Sequence, residues 1–241
     1  MATVHFMLQG KGGVGKSLIS AFLIQYLRGR DVKVHSFDTD PVNATLSGYK
    51  ELDVIPLNIM NGDDIDPRCF DPLMEAIFSL PEDGHVVVDN GASSFVPLCS
   101  YLIENEAIRL LEEQDHRVLL HSVITGGQAI GDTMIGLKSL ATHFATSPLV
   151  VWLNSYFGDI AIDGKSFQEF KIYEEYSSNF HAVITIPHRK QATFGKDLEE
   201  LFAKRQGFVT AIGSGLPIMV KQRLASFWRD AVAEMDKARL C

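Results

Sequence analysis

Short apolar runs alternate with amphipathic segments along the whole chain. The runs have the length of strands and are apolar almost throughout, which is typical of strands covered by helices on both faces. We predict strands over residues 3–9, 32–37, 54–59, 85–89, 117–124, 149–154 and 182–186. Apolar spacing predicts helices over residues 16–28, 71–80, 96–113, 128–144, 166–176 and 193–205, and an amphipathic C-terminal helix over about 218–240.

Strand–helix alternation of this kind favours an α/β fold with a doubly wound, mostly parallel sheet flanked by helices. No linker or internal repeat divides the chain, so we predict a single domain over residues 1–241. Ligands of such sheets bind at the carboxyl ends of the strands. The residues that directly follow each strand are therefore the first candidates for function.

Composition narrows the class of protein. Hydrophobic residues make up 46% and charged residues 22%, which excludes a disordered chain. The apolar runs are too short to span a bilayer, and the first residues lack the basic and apolar regions of a secretory signal. Three cysteines without a Cys-x-x-Cys pair are typical of a reduced protein. We therefore expect a cytoplasmic location.

The charge is unevenly distributed. Thirty acidic against 22 basic residues give a net charge of −8, so net charge does not attract the chain to nucleic acid. Residues 201–241 carry seven basic and three acidic residues, a local +4, which leaves −12 on the first 200 residues. Two interpretations of this basic region stay open: a solvated helix face and a basic contact face.

A phosphate-binding motif follows the first predicted strand. Residues 10–17 read Gly-Lys-Gly-Gly-Val-Gly-Lys-Ser and match the pattern Gly-x-x-x-x-Gly-Lys-Ser/Thr in full. The glycines let successive backbone N–H groups face an anion at the positive end of the following helix. Lys16 can then reach the β- and γ-phosphates, and the hydroxyl of Ser17 can ligate Mg²⁺. The strand before the motif and the helix after it predict a nucleotide site here.

Carboxylates follow two other predicted strands. Asp38 and Asp40 lie two residues apart in an extended segment and so share one face. Near Mg²⁺ and a triphosphate, one such carboxylate can order metal-bound water and the other can position the attacking water. Asp89 ends an apolar run, as in a Walker B strand, and is a candidate to hold Mg²⁺ through water. Turn-forming aspartates are the alternative interpretation of all three.

With the second lysine of its phosphate loop, Lys11, the sequence resembles the deviant Walker A ATPases of the ParA/MinD family. The resemblance implies ATP and Mg²⁺ as cofactors and a homodimer that forms on ATP binding, in which Lys11 reaches the partner's phosphates while Lys16 serves its own site. It assigns Asp38 to the metal-bound water and Asp40 to the attacking water. The resulting candidates are catalytic Lys11, Lys16 and Asp40; nucleotide-binding Gly12, Gly13, Val14, Gly15, Lys16, Ser17, Leu18, Asn154 and Pro187; and metal-binding Ser17, Asp38 and Asp89.

The base-binding candidates follow later strands. Asn154 ends an apolar run, and its amide offers a donor and an acceptor to an adenine edge. Relatives in the ParA/MinD family use an asparagine after this strand for the base, and the segment around Pro187 resembles the one whose backbone flanks it. An asparagine that only forms a turn is the alternative.

The sequence departs from the usual family pattern at two places. Val42 stands where glutamine is common, and Asn90-Gly91 stands where Ser/Thr-Pro follows the Walker B aspartate. Both departures are features of a branch of the family that serves conjugative plasmid transfer. Further stretches similar to that branch are residues 8–11, 38–45, 89–97, 125–129 and 164–167.

The first hypothesis for function is a slowly hydrolysing Mg-ATP switch between monomer and dimer that assists plasmid transfer, with other transfer proteins as partners. The alternatives are a nucleotide-dependent binding module without hydrolysis and a plasmid-partition or positioning ATPase of the same family. The cysteines are not placed to hold a cluster for electron transfer. Leu224, Phe227, Trp228, Ala231 and Met235 share one face of the last predicted helix, which favours packing over membrane or DNA contact.

Overall fold

A seven-stranded parallel sheet forms the centre of the computed structural model, which describes residues 2–80 and 83–241. Its strands are β1 (Thr3–Met7), β2 (Val34–Asp38), β3 (Ile55–Pro56), β6 (His85–Asp89), β7 (Arg117–Thr125), β8 (Leu149–Asn154) and β11 (Phe180–Thr185). Their order across the sheet is β11-β8-β7-β1-β6-β2-β3. Two short antiparallel hairpins lie outside this sheet, β4 (Met60–Asn61) with β5 (Asp64–Ile65), and β9 (Ala161–Ile162) with β10 (Lys165–Ser166).

Helices cover both faces of the sheet. They are α1 (Lys16–Arg28), α2 (Asp71–Phe78), α3 (Phe95–Glu104), α4 (Ala107–Glu113), α5 (Ile130–His143), α6 (Lys171–Tyr176), α7 (Lys196–Ala203), α8 (Phe208–Gly213) and α9 (Ile218–Lys237). The apolar residues of α2 to α6 pack on one face, and those of α1 and α7 to α9 pack on the other. This arrangement confirms the predicted α/β fold class.

Side chains of β1 alternate between the two cores, as the strand period of two requires. Val4 and Phe6 belong to the core under α2 to α6, whereas Met7 belongs to the core under α1 and α9. Neither face of the central strands is exposed to water, so a polar side chain on these strands is buried. His5 of β1, which is 1% exposed, is one such side chain. Burial of both faces of the sheet by helices explains why the strands are apolar almost throughout, as the sequence pattern predicted.

The C-terminal helix α9 packs against the body of the protein through its apolar face. Leu224, Phe227, Ala231 and Met235 are buried, and the ring of Phe227 contacts those of Phe22 and Phe208. The packing interpretation of this face is therefore the one that the structure supports. Among the described residues, no helix combines the length and the apolar character needed to cross a membrane.

Three helix predictions differ from the structure. The predicted helix over 96–113 is two helices, because Glu106 adopts a left-handed backbone (φ 48°) that ends the first one. The predicted helix over 166–176 begins as β10 and a 3₁₀ turn, and only Lys171–Tyr176 is α-helical. A π-helical turn, Gln191–Gly195, precedes α7, and the short helix α8 was not predicted.

The carboxyl ends of the central strands meet at one edge of the sheet. In the parallel register Asp38 of β2 lies beside Asp89 of β6, and Asp89 lies beside Met7 of β1. The phosphate loop begins three residues after Met7, so sheet geometry alone brings the candidate loop and both carboxylates together.

Candidate nucleotide-binding site

The phosphate loop is the connection between β1 and α1. Gly13 and Gly15 have φ values of 74° and 98°, in the left-handed region that favours glycine. A Cβ atom on Gly15 would also lie 2.9 Å from Nδ2 of Asn154. The glycine at position 15 is therefore required both by the backbone conformation and by the close approach of Asn154.

Lys16 is the first residue of α1 and is only 7% exposed. Its Nζ donates a hydrogen bond to the backbone oxygen of Lys11 at 3.0 Å, so it lies along the inner side of the loop. Burial lowers the pKa of Lys16, while the nearby carboxylates of Asp89 and Asp40 raise it. The loop thus holds a buried cation close to both carboxylates.

Asp89 lies beneath the start of α1 and is 1% exposed. Its Oδ1 accepts a hydrogen bond from Ser20 Oγ at 2.8 Å, whereas its Oδ2 is buried without a hydrogen-bond donor among the described residues. Burial raises the pKa of Asp89 to about 7, and the nearby hydroxyl of Ser17 acts in the opposite direction. A buried carboxylate oxygen without a donor is a natural position for a cation or a water molecule bound to one.

Asp38, also buried, uses both carboxylate oxygens within the protein. Its Oδ2 accepts hydrogen bonds from the backbone N–H and the hydroxyl of Ser47, both at 2.9 Å. Its Oδ1 accepts one from the backbone N–H of Asp40 at 3.1 Å. In this conformation Asp38 therefore orders the segment that carries Asp40.

Asp40 is half-buried and faces the cleft in front of the phosphate loop. Its Oδ1 accepts hydrogen bonds from the backbone N–H groups of Val42 and Asn43, both at 2.9 Å. These two bonds hold the carboxylate at the wall of the cleft. Asp38 and Asp40, which the sequence places on one face, have different environments here.

The cleft in front of the loop has a volume of about 570 Å³, within the range of small-molecule sites. Its walls combine the loop with the segments that follow β2 and β6. Predicted site residues in these walls are Gly12, Gly13, Gly15, Lys16, Ser17, Leu18 and Asp40. Val14 lies in the wall of a neighbouring cleft with Gly12, Gly13 and residues that follow β7.

A second cleft contains the three residues expected at the base. Leu18, Asn154 and Pro187 all lie in its wall. Leu18 also belongs to the wall of the phosphate cleft, so the two clefts adjoin at this residue. An elongated ligand can therefore extend from the loop to the segment around Pro187.

The amide of Asn154 already has protein partners at both ends. Its Nδ2 donates to the backbone oxygen of Val14 at 2.9 Å, and its Oδ1 accepts from the backbone N–H of Tyr156 at 3.1 Å. Each end keeps the capacity for one more hydrogen bond. Asn154 thus holds the phosphate loop in place, a contact that the sequence did not suggest.

Lys11 points away from the cleft of its own chain. Its Nζ forms an ion pair with Asp132 of α5 at 2.7 Å, and both side chains are about half exposed, at 43% and 55%. Lys11 is therefore absent from the wall of the phosphate cleft. The other predicted phosphate and metal residues outside this wall are Val14 and the buried Asp38 and Asp89.

Sequence reasoning missed three residues that shape the site: Ser20, Ser47 and Asp132. Ser20 follows Ser17 by three positions in α1, so helical spacing alone could have placed it near Asp89. Ser47 and Asp132 carry no motif and reach Asp38 and Lys11 only through the fold.

The family described as the CobQ/CobB/MinD/ParA nucleotide binding domain matches residues 6–205, which include the phosphate loop, the carboxylates of Asp38, Asp40 and Asp89, and Asn154. The chain belongs to this family. Membership confirms the resemblance that the motifs indicated and shows a P-loop nucleotide-binding domain of the MinD/ParA kind.

Within the CobQ/CobB/MinD/ParA family, the chain is similar to two Escherichia coli relatives, both named protein TraL. They are 48% and 46% identical to it over 240 residues, which is 99% of this chain and 99% of each relative. The similarity therefore extends over the C-terminal helices as well as the nucleotide-binding region.

Solved structures of the family show the same fold. The septum site-determining protein MinD of Pyrococcus horikoshii, complexed with Mg-ADP, is 18% identical, with a TM-score of 0.57 over 98% of this chain and 97% of that one. A chain of the MinC:MinD cell division protein complex of Aquifex aeolicus is 14% identical, with a TM-score of 0.54 over 97% of this chain and 96% of that one. At this level of identity the likeness concerns the fold alone.

Proposed function

We propose that the protein is a Mg-ATP-dependent ATPase that hydrolyses ATP slowly and switches between a monomer and a nucleotide-sandwich dimer. The observation that carries the proposal is the junction of two clefts at Leu18, with Lys16 and Asp40 at one end and Asn154 and Pro187 at the other. One end suits a polyphosphate and the other suits a base. In this arrangement Gly12 to Leu18 bind the phosphates.

The residues also fit Mg²⁺. Ser17, Asp38 and Asp89 offer only oxygen atoms, the ligands that Mg²⁺ prefers, and Oδ2 of Asp89 is the buried atom that lacks a donor among the described residues. Ser17 would hold the ion directly, and Asp38 and Asp89 would hold its water molecules. When bound, the ion supplies positive charge that stabilises negative charge on the phosphates.

Hydrolysis would depend on three side chains of this family member. Lys16 neutralises charge at the phosphates from inside the loop. Asp40 has Oδ1 bound to two backbone N–H groups, and its Oδ2 has no donor among the described residues, so Oδ2 is the atom that would orient an attacking water. Lys11 would add a second cation from the neighbouring copy.

Dimer formation would require Lys11 to leave Asp132. In the single chain the ion pair at 2.7 Å holds the lysine at the surface, where solvent screening keeps the pair weak. A negatively charged triphosphate on a second copy is a stronger partner than one exposed carboxylate. Bound ATP would therefore favour the dimer through a contact that the monomer lacks.

Molar mass in solution tests this proposal. Light scattering on the Asp40→Ala variant should give the mass of a dimer with Mg-ATP and of a monomer with Mg-ADP, because ATP stays bound. Lys11→Ala in that background should remain monomeric. Lys171→Ala, which removes a lysine from another exposed ion pair, is the matched control and should still dimerise. A mass that ATP leaves unchanged in the Asp40→Ala background would contradict the switch.

We also propose a cytoplasmic accessory role in conjugative plasmid transfer, with other transfer proteins as partners, on the basis of the similarity to the TraL proteins. Replacement of a TraL relative by this chain on its plasmid provides a test. The wild-type chain should restore mating frequency, and Lys16→Ala should not. Equal mating with and without the chain would remove the basis of this role.

The second candidate function is a nucleotide-dependent binding module without hydrolysis. The observation in its favour is that Asp38 and Asp40 together accept five hydrogen bonds from the protein itself. Measurement of phosphate release separates the two functions. If the wild type releases phosphate from ATP no faster than the Asp40→Ala variant does, the binding module is favoured. Faster phosphate release by the wild type would favour the ATPase.

A further inference from the structure

The segment after β6 packs directly on the carboxylate of Asp40. A Cβ atom on Gly91 would lie 2.6 Å from Cγ and 2.9 Å from Oδ1 of Asp40, both closer than real Cβ contacts allow. The carboxylate therefore rests on the backbone of Gly91. The backbone of Gly91 is outside the left-handed region, so the contact with Asp40, and not backbone conformation, requires glycine here.

Asn90, the preceding residue, joins the same two segments from within the protein. Its Oδ1 accepts hydrogen bonds from Thr39 Oγ1 at 3.1 Å and from Ser94 Oγ at 2.6 Å. The backbone N–H of Thr39 in turn donates to the backbone oxygen of Asp89 at 2.9 Å. All these residues are at most 1% exposed. Thr39, next to Asp40, is thus tied to the segment that carries Gly91.

We infer that Gly91 and Asn90 are positioning residues for Asp40: Asn90 ties together the segments after β2 and β6, and Gly91 leaves the space that the carboxylate occupies. The inference rests on the proposed ATPase function in so far as Asp40 acts on the attacking water. Any residue with a Cβ atom at position 91, proline included, would place that atom within 3.0 Å of the Asp40 side chain as it lies in this structure.

Displacement of Asp40 has a consequence that does not depend on ATP. The N–H groups of Val42 and Asn43 donate to Oδ1 of Asp40, so a side chain at position 91 that moves the carboxylate removes their acceptor. Amide hydrogen exchange at these two positions therefore reports the position of Asp40. The backbone N–H of Ser47, which donates to Asp38, serves as the internal reference.

Hydrogen exchange on the nucleotide-free protein is the first test. Gly91→Ala should raise the exchange rates of Val42 and Asn43 roughly tenfold, towards those of Asp40→Ala, and Asn90→Ala should raise them by a smaller factor. Gly215→Ala is the matched control, because a Cβ atom there meets no atom within 4 Å. Wild-type exchange rates in Gly91→Ala would overturn the role of Gly91, and wild-type rates in Asn90→Ala would overturn that of Asn90.

Kinetics provide the second test. In the hydrolysing protein, Gly91→Ala should lower kcat roughly ten- to a hundredfold through misplacement of Asp40, with little change in KM. In the Asp40→Ala background the same substitution should have no further effect on kcat, since the carboxylate that it displaces is gone. An equal loss in both backgrounds would contradict positioning through Asp40.

The two tests separate this inference from the proposed function. A wild-type protein without ATP hydrolysis would contradict the ATPase, while faster exchange in Gly91→Ala would still support the positioning of Asp40. Conversely, an active wild type with unchanged exchange and unchanged kcat in Gly91→Ala would overturn the positioning role and leave the ATPase intact.

Discussion

Trp152 Nε1 donates a hydrogen bond to Nδ1 of His121 at 2.9 Å, in the core between the sheet and α1. His121 Nε2 lies 2.9 Å from His5 Nδ1, and His5 Nε2 lies 2.9 Å from His85 Nδ1. An indole N–H can only donate, so each imidazole in turn must accept at Nδ1 and donate at Nε2. The chain of hydrogen bonds thereby connects β8, β7, β1 and β6, four neighbouring strands of the sheet.

The first prediction concerns the tautomers of these histidines. His121, His5 and His85 should all be neutral and protonated at Nε2 at pH 7, because this is the single neutral arrangement in which each of the three contacts joins one donor to one acceptor. Nitrogen-15 NMR of the imidazole rings distinguishes the two tautomers. A ring protonated at Nδ1 in either His121 or His5 would contradict the hydrogen-bond direction.

The second prediction is a loss of stability in acid. Burial lowers the pKa of His121 to about 3, that of His85 to about 4 and that of His5 well below its usual value; Arg117 and His181 are the other charged or titratable neighbours. The unfolded chain binds protons near pH 6.5, so it holds more protons than the native state below that pH. The free energy of unfolding should therefore fall between about pH 6 and pH 4, by up to about 4 kcal/mol per pH unit.

Urea unfolding at several pH values measures this slope, and Trp152→Phe tests whether the indole hydrogen bond adds to burial as its cause. Without the indole N–H, Nδ1 of His121 no longer faces a donor and can carry a proton. The native state can then bind one more proton, so the slope should become shallower. Trp228→Phe is the control, because Trp228 is half-buried and takes no part in the hydrogen bonds between the histidines. This variant should keep the wild-type slope. An equal slope in wild type and Trp152→Phe would leave burial alone as the cause of the lowered pKa values.

The third prediction concerns the ion pair of Lys11 with Asp132. Asp132→Asn should tighten the ATP-dependent dimer by up to about fivefold per protomer, because Lys11 no longer has to leave a carboxylate. Sedimentation equilibrium with Mg-ATP in the Asp40→Ala background measures the effect, which should shrink as salt is added. A weaker dimer would mean instead that Asp132 directs Lys11 towards its partner.

The fourth prediction concerns Asn154. Asn154→Ala should weaken the binding of both ATP and GTP, since the loop loses the hydrogen bond to the backbone oxygen of Val14. ATP should lose more affinity than GTP if the amide also contacts adenine, as proposed. Isothermal titration gives both affinities, and Asn179→Ala, which removes another amide bound to a backbone oxygen, is the control. Equal losses for ATP and GTP would limit Asn154 to a role in holding the loop.

The fifth prediction concerns the apolar face of α9. Phe227→Ala should lower the free energy of unfolding by about 3–5 kcal/mol, because it leaves a cavity between Phe22 and Phe208. Met219→Ala, on the same helix but 59% exposed, should change stability by less than about 0.5 kcal/mol. Urea unfolding measures both. Unchanged stability in Phe227→Ala, together with a loss of vesicle binding, would identify the face as a membrane contact.

The sequence was sufficient for features that depend on neighbours along the chain. The loop over residues 10–17, the apolar strands and the position of Asp89 at the end of one of them follow from local pattern, because glycine conformation and strand period act over a few residues. The helix break at Glu106 escaped prediction because neither glycine nor proline marks it.

Tertiary structure decided the contacts between distant residues. The space that Gly91 leaves for Asp40, the ion pair of Lys11 with Asp132 and the chain of histidines all join residues at least fifty positions apart or on different strands. A one-dimensional pattern shows that His5, His85 and His121 interrupt apolar strands but not that they meet. They meet because neighbouring parallel strands lie about 4.8 Å apart. The register places His85 beside Thr3 and His121 beside Met7, so both histidines stand two positions from His5 on the same face of the sheet.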